Sequence, residues 1–292
     1  PCRKLLVRVR KEIMVRQGLD RPCRARQGLI MGKSPDLVTY IDLGDRRAPV
    51  EARINRRARR LIVKVDSLHG IVHLTAPSRR GLRDAVRFAE ERAAWIRNEL
   101  AAGPKAHPFE IGGFCPYAGV PHRIMAAGGP RAPVRRFTQT ADATDVAPNR
   151  VMVGGEPAHV NRRVCDWLKR EARQTLTARA GFYAGQLGRP HGRIRVNDTR
   201  SRWGSCSDKG TLSFSWRLIL APPTILDYVA AHECAHLVHM NHSKAYWQVL
   251  AGLGVDARAA RQWFQHHGPR LFSYGVPHAA DPAQSSTAEA AA

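Results

Sequence analysis

Residues 222–247 read PPTILDYVAAHECAHLVHMNHSKAYW, and this stretch decides how the rest of the chain is read. Pro222 and Pro223 suit the start of a helix, where a missing N–H costs nothing. Leu226, Val229 and Ala230 carry helical spacing onward to about His239. Within that helix stands His232-Glu233-Cys234-Ala235-His236, an H-E-x-x-H motif. Residues four apart share a helix face, so both imidazoles can reach one ion at the ~2.0–2.1 Å of a zinc–nitrogen bond. Glu233, one residue on, projects about 100° around the helix, beside the ion but not on it. Metal-assisted hydrolysis needs this set: a Lewis acid, a water of lowered pKa, and a carboxylate to take its proton.

A catalytic zinc usually has three protein ligands and one open position. Many H-E-x-x-H enzymes take a downstream Glu as the third, but the only Glu after Glu233 is Glu289, in the Ala/Ser/Pro-rich end. His239 and His242 are the near candidates. His239 lies on the stripe of His232 and His236, yet the three span about 10 Å along a straight helix, too far for one ion. Asn241 favours a left-handed helix stop, and a reversal there swings His242 back. His242 is therefore the expected third ligand, with His266, His267 and His278 as lesser rivals.

Upstream, residues 211–216 and 203–206 read as strands joined through Asp208-Lys209-Gly210, and 193–197 as another. A long amphipathic helix over 159–187 precedes them, with Val160, Val164, Trp167, Leu168, Leu176, Ala180, Tyr183 and Leu187 on one face. Downstream, two short helices are expected near 243–252 and 256–266, each opened by a good N-cap residue. In the first half, strands are expected over 37–41, 61–65 and 71–74, with the basic run 56–60 at a hairpin end. A single helix is expected over 78–101, capped by Ser78. A polar connection at 141–157 is the expected domain boundary.

The chain has 292 residues, 47 Lys+Arg against 24 Asp+Glu, and a net charge of +23. Residues 1–155 hold 30 basic and 14 acidic residues, so most of the excess lies there. Such a chain binds polyanions in a salt-dependent way, and nucleic acid is an expected partner of the basic N-terminal part. The six Cys are scattered without a CxxC pair, which argues against a disulfide framework or a Cys-rich zinc finger. No run approaches 18 apolar residues, and the first 30 lack an apolar signal core, so no membrane partner and a cytoplasmic location are expected. The sequence begins at Pro1, and Met14 or Met31 would serve as a start, making the basic leader an expected artefact.

Several segments together resemble the YgjP-like metallopeptidases, relatives of the SprT-like and Wss-type proteases: RWGSC at 202–206, LSFSWRL at 212–218, PPTILDY at 222–228, HECAH at 232–236 and NHSKAYW at 241–247. The likeness runs from about Val160 to Phe272, and more weakly through the region before Trp95. The H-E-x-x-H-x5-H spacing also occurs in metzincins, but those carry Gly where His239 stands and a later Met-turn, and no Met follows Met240. The resemblance implies a zincin-like α+β catalytic domain with His232, His236 and His242 on zinc and Glu233 as general base. Cys234, where the family more often has an aliphatic residue, is a mild departure and reads as a small buried residue.

The expected architecture is then a basic leader at 1–35, a basic β-rich module with one helix at 36–155, and a zincin-like domain at 156–275. That domain would hold the long helix, a small antiparallel sheet and the H-E-x-x-H helix; 276–292 would be a disordered tail. The expected function is zinc-dependent hydrolysis of a polypeptide substrate. Zinc hydrolysis of a non-peptide bond, and a nucleic-acid-binding module with a structural zinc, are the alternatives. Arg202 and Tyr228 are candidates for contacting substrate or an oxyanion, against a hairpin salt bridge and simple packing respectively. Asp227 is a candidate partner of a ligand His, while Tyr246 and Trp247 read as core.

Overall fold

The computed structural model describes residues 12–14 in backbone, 35–129, 131–138, 149–199 and 202–277. Most of the basic leader and the chain beyond 277, with His278 and Glu289, lie outside the described residues. Val276, at the expected start of the tail, is buried.

The first compact unit takes in residues up to Ala106. Its strands are β1 (Glu12–Met14), β2 (Leu37–Asp42), β3 (Arg47–Ile54), β4 (Ile62–Asp66) and β5 (Ile71–Ala76), in the sheet order β1-β4-β5-β3-β2. Alternation places Val50, Ala52, Val63, Val72 and Leu74 on the buried face. Against them lie α1 (Arg79–Glu91) and α2 (Ala93–Ala102), contributing Leu82, Ala85, Ala89, Ile96 and Leu100. Two expectations change here. The single helix breaks at Arg92, whose N–H bonds the Ala89 carbonyl in a tightened turn. The 56–60 run does not end a hairpin, because β5 lies between β3 and β4 and pairs parallel with β3.

The second unit runs from His107 to Pro277. It opens with β6 (Phe114–Tyr117), β7 (Val120–Ala126), β8 (Arg135–Phe137) and β9 (Arg150–Val153), in the order β6-β7-β9-β8. The 30-residue α3 (Pro157–Gln186) follows, buries the expected face and stops before Gly188, at φ +59°. Next come β10 (Ile194–Asn197), β11 (Gly204–Cys206) and β12 (Leu212–Ser215), ordered β10-β12-β11. This small sheet is mixed, with β10 parallel and β11 antiparallel to β12. A 3₁₀ turn (Trp216–Leu220) leads into α4 (Pro223–Ala235), then α5 (Lys244–Gly252) and α6 (Ala257–Leu271). Ser243 and Asp256 cap α5 and α6, their side chains accepting from Tyr246 N–H and from Arg258 and Ala259 N–H.

The contacts therefore divide the chain near residue 106, about 50 residues before the expected boundary. The hairpin between β6 and β7 explains why. Ala118 and Gly119 both have positive φ, the geometry of a two-residue type I′ turn. Their N–H groups donate to the carbonyls of Ile219 and Leu220, 2.8 and 3.1 Å away. A Cβ on Gly119 would lie 2.9 Å from the Pro222 ring, so the turn sits directly on the start of α4. Residue 107 is held likewise, bonding Ser273 and Gly275 on both sides.

Candidate metal centre

α4 is almost wholly buried and contributes His232 and Glu233 from its last turn, with His236 at its C-terminal boundary. It ends at Ala235, about four residues sooner than its apolar spacing suggests. Turn-type bonds then follow: Leu237 N–H to the Cys234 carbonyl, and Val238 and His239 N–H to the Ala235 carbonyl, at 2.9–3.1 Å. His242 is reached without a left-handed Asn241, since Ala118 is the only non-glycine with positive φ among the described residues. The Asn241 side chain instead accepts from Ser243 N–H at 3.3 Å, leading into the α5 cap.

The outcome is convergence. The ligand atoms of His232, His236 and His242 all lie within 4.8 Å of one another. His232 Nε2 and His242 Nε2 are 3.3 Å apart. Two nitrogens bound tetrahedrally to one zinc stand about 3.3 Å apart, so this pair already has the needed spacing. His236 Nδ1 donates to the His239 carbonyl at 3.0 Å, which fixes the tautomer and leaves Nε2 with its lone pair for an ion. Burial and the neighbouring imidazoles pull the His232 pKa down to about 3, and burial lowers that of His236. Both rings are thus neutral, the form a metal requires. Imidazole donors in this number fit zinc.

Tyr246, expected as plain core, supports the cluster. Its hydroxyl donates to the His232 carbonyl at 3.0 Å, and its ring stacks on His236 with centroids 4.6 Å apart. Its register on α5, four residues after His242, is the signal that links it to the site. Asp227 does not serve a ligand histidine: it takes two bonds from Arg179 of α3, at 2.5 and 3.1 Å. His232 Nδ1 finds no hydrogen-bond partner among the described residues. Cys234 is buried against α3, its thiol donating to the Ala180 carbonyl at 3.4 Å.

Glu233 is 5% exposed, and burial pushes its carboxyl up to about 8. Two influences oppose that rise: the positive charge of Arg202 and an N–H donated by Cys206 of β11. The same strand leaves room for the carboxylate. A Cβ on Gly204 would stand 2.5 Å from Glu233 Oε1 and 2.7 Å from its Cγ. Gly204 has ordinary strand backbone, so it is required here for space and not for conformation. Sequence reasoning missed this role; a glycine inside a strand, four residues before the Asp208-Lys209-Gly210 turn, was the available signal.

Of the other candidates, Arg202 is exposed at the mouth of β11, its carbonyl accepting from the Thr199 hydroxyl at 2.8 Å. Tyr228 is fully buried with its ring 5.7 Å from His232, which leaves no surface of it open to a ligand. His239 meets the cluster through its backbone only. His266 and His267 are exposed on α6 and stand outside the cluster, as does Cys206.

A mixed α and β unit thus presents three converging histidines on and just beyond one helix, with a buried carboxylate between two of them in sequence. That is a constellation able to hold a metal ion. The chain belongs to the YgjP-like family, whose model, described as YgjP-like, metallopeptidase domain, matches residues 59–267. No curated protein and no solved structure matches it. Among the described residues no helix is long and apolar enough to cross a membrane.

Proposed function

We propose that the protein is a zinc-dependent metallopeptidase, with His232, His236 and His242 holding the ion and Glu233 acting as general base. The observation that carries this reading is the three-histidine convergence beside a buried carboxylate that a neighbouring strand cradles. A bound zinc supplies Lewis acidity, polarising a carbonyl and lowering the pKa of water. Glu233 takes the proton of the attacking water on its carboxylate and delivers it to the leaving amine. The charge of a bound ion would bring the raised pKa of Glu233 back toward the neutral range, where it can both accept and return a proton. Arg202, whose charge already reaches Glu233, is the candidate for steadying the developing oxyanion. β11 is an edge strand, so an extended polypeptide can add alongside it by main-chain hydrogen bonds. Three ligands instead of four speak for a catalytic over a structural zinc.

The test is metal analysis of the purified chain with casein digestion before and after chelation. Cleavage should vanish with the metal and return with added zinc. Intact casein alongside full zinc and cleavage of an amide or phosphoanhydride substrate would reassign the reaction.

Gly204→Ala is a second test of the Glu233 role. The added methyl cannot coexist with the carboxylate where it stands, so Glu233 must move. A displacement of this size costs about 10²-fold in rate, while zinc stoichiometry should remain at the wild-type value. Unchanged cleavage by this variant would show that the position of Glu233 is not critical.

A further inference from the structure

The outer face of the four-stranded sheet carries a pattern that the metal centre does not use. Register aligns Phe114 with Arg123, Arg123 with Arg150, and Arg150 with Phe137. Residues directly opposite one another across a sheet share a face, so these four form one row over β6, β7, β9 and β8. Phe114 and Phe137, at the two ends, are 57% and 47% exposed. The Arg123 guanidinium lies over the Phe114 ring, 5.9 Å from its centroid. The adjacent row on this face sets Met125 beside Met152 and Met152 beside Arg135. The opposite face packs inward through Cys115, Ile124, Val151 and Val153, all buried. None of the four strands contains an Asp or Glu.

We propose that this face binds a single-stranded polynucleotide, its bases stacking on Phe114 and Phe137 and its phosphates meeting Arg123 and Arg135. The two rings stand about 14 Å apart, three strand spacings of ~4.8 Å, with the cations between them. An apolar protein surface would cover the rings but strand Arg123 and Arg135 without counter-charges. An acidic peptide would pair with the arginines and leave the rings unused. A nucleic acid alternates flat apolar surface with negative charge, and this is the alternation the row presents. Stacking requires unpaired bases, so a duplex offers only its backbone here. The inference stands apart from the peptidase reading and does not depend on it.

Fluorescence anisotropy with labelled oligothymidylate of about 12 nucleotides, on the full chain, decides it. The Phe114→Ala/Phe137→Ala pair should weaken binding by about 25-fold or more, since each stacked base contributes severalfold or greater. Neither residue carries charge, so the +23 balance of the chain is unaltered. The Phe114→Tyr/Phe137→Tyr pair should retain affinity, and all variants should keep zinc content and melting temperature. Arg123→Ala and Arg135→Ala should each reduce the slope of log affinity against log salt by about 0.7. The proposal is overturned if the alanine pair binds as tightly as wild type. It is equally overturned if wild type does not bind, or if duplex DNA or polyglutamate competes as well as the single strand.

Discussion

Glu233→Gln should leave zinc content at the wild-type level while casein cleavage falls by about 10²-fold or more, the usual contribution of a general base. Glutamine keeps the shape and an oxygen that accepts the Cys206 N–H, so the strand contact and the fold survive. What it removes is the ability to take a proton. Burial makes this loss hard to replace, because a group 5% exposed has no bulk water at hand to stand in as base. Zinc and cleavage measured on the same preparation separate the roles. A variant that stays active would place the base elsewhere and leave Glu233 as a structural residue.

The larger effect on metal comes from the third histidine. His242→Ala should lower zinc affinity by orders of magnitude, since only His232 and His236 remain around the ion. His239→Ala should retain both metal and most activity. Its place in the site is its carbonyl, which accepts from His236 Nδ1 and survives substitution of the side chain. The two alanine variants, assayed for bound zinc, thus form a matched pair four residues from the end of one helix and seven from it. Metal lost from His239→Ala and kept by His242→Ala would reverse the ligand set.

The site was legible where chemistry and local spacing coincide. The H-E-x-x-H helix, the long α3 with its stripe from Val160 to Tyr183, and the turn at Gly210 all carry short-range signals. His242 joins the cluster by a route other than the expected one: α4 stops at Ala235, where side-chain and turn hydrogen bonds take over from helical ones. Apolar spacing in Leu237 and Val238 cannot report that, because a tight turn can bury them as well as a helix can. Parallel pairings were likewise hidden. β3 with β5, β7 with β9 and β10 with β12 join strands separated by other elements, and alternation within a strand names no neighbour. The roles of Gly204 and Tyr246 depend on what packs against them, which composition does not encode.

The hairpin turn at Ala118 and Gly119 has a consequence for how the protein can be taken apart. Shortening the chain to its H-E-x-x-H half, from Glu156 onward, would remove the donors that serve the Ile219 and Leu220 carbonyls. Those carbonyls belong to a fully packed segment, and the loss would bare Pro222, the residue just before the histidine-bearing helix. Each of those hydrogen bonds contributes about 0.5–1.5 kcal/mol, and the hairpin's packing is lost with them, against a domain's net stability of roughly 5–15 kcal/mol. The natural cleavage point for dissection, domain grafting or expression of a shorter form is therefore near His107, with the small sheet kept as part of the inheritance.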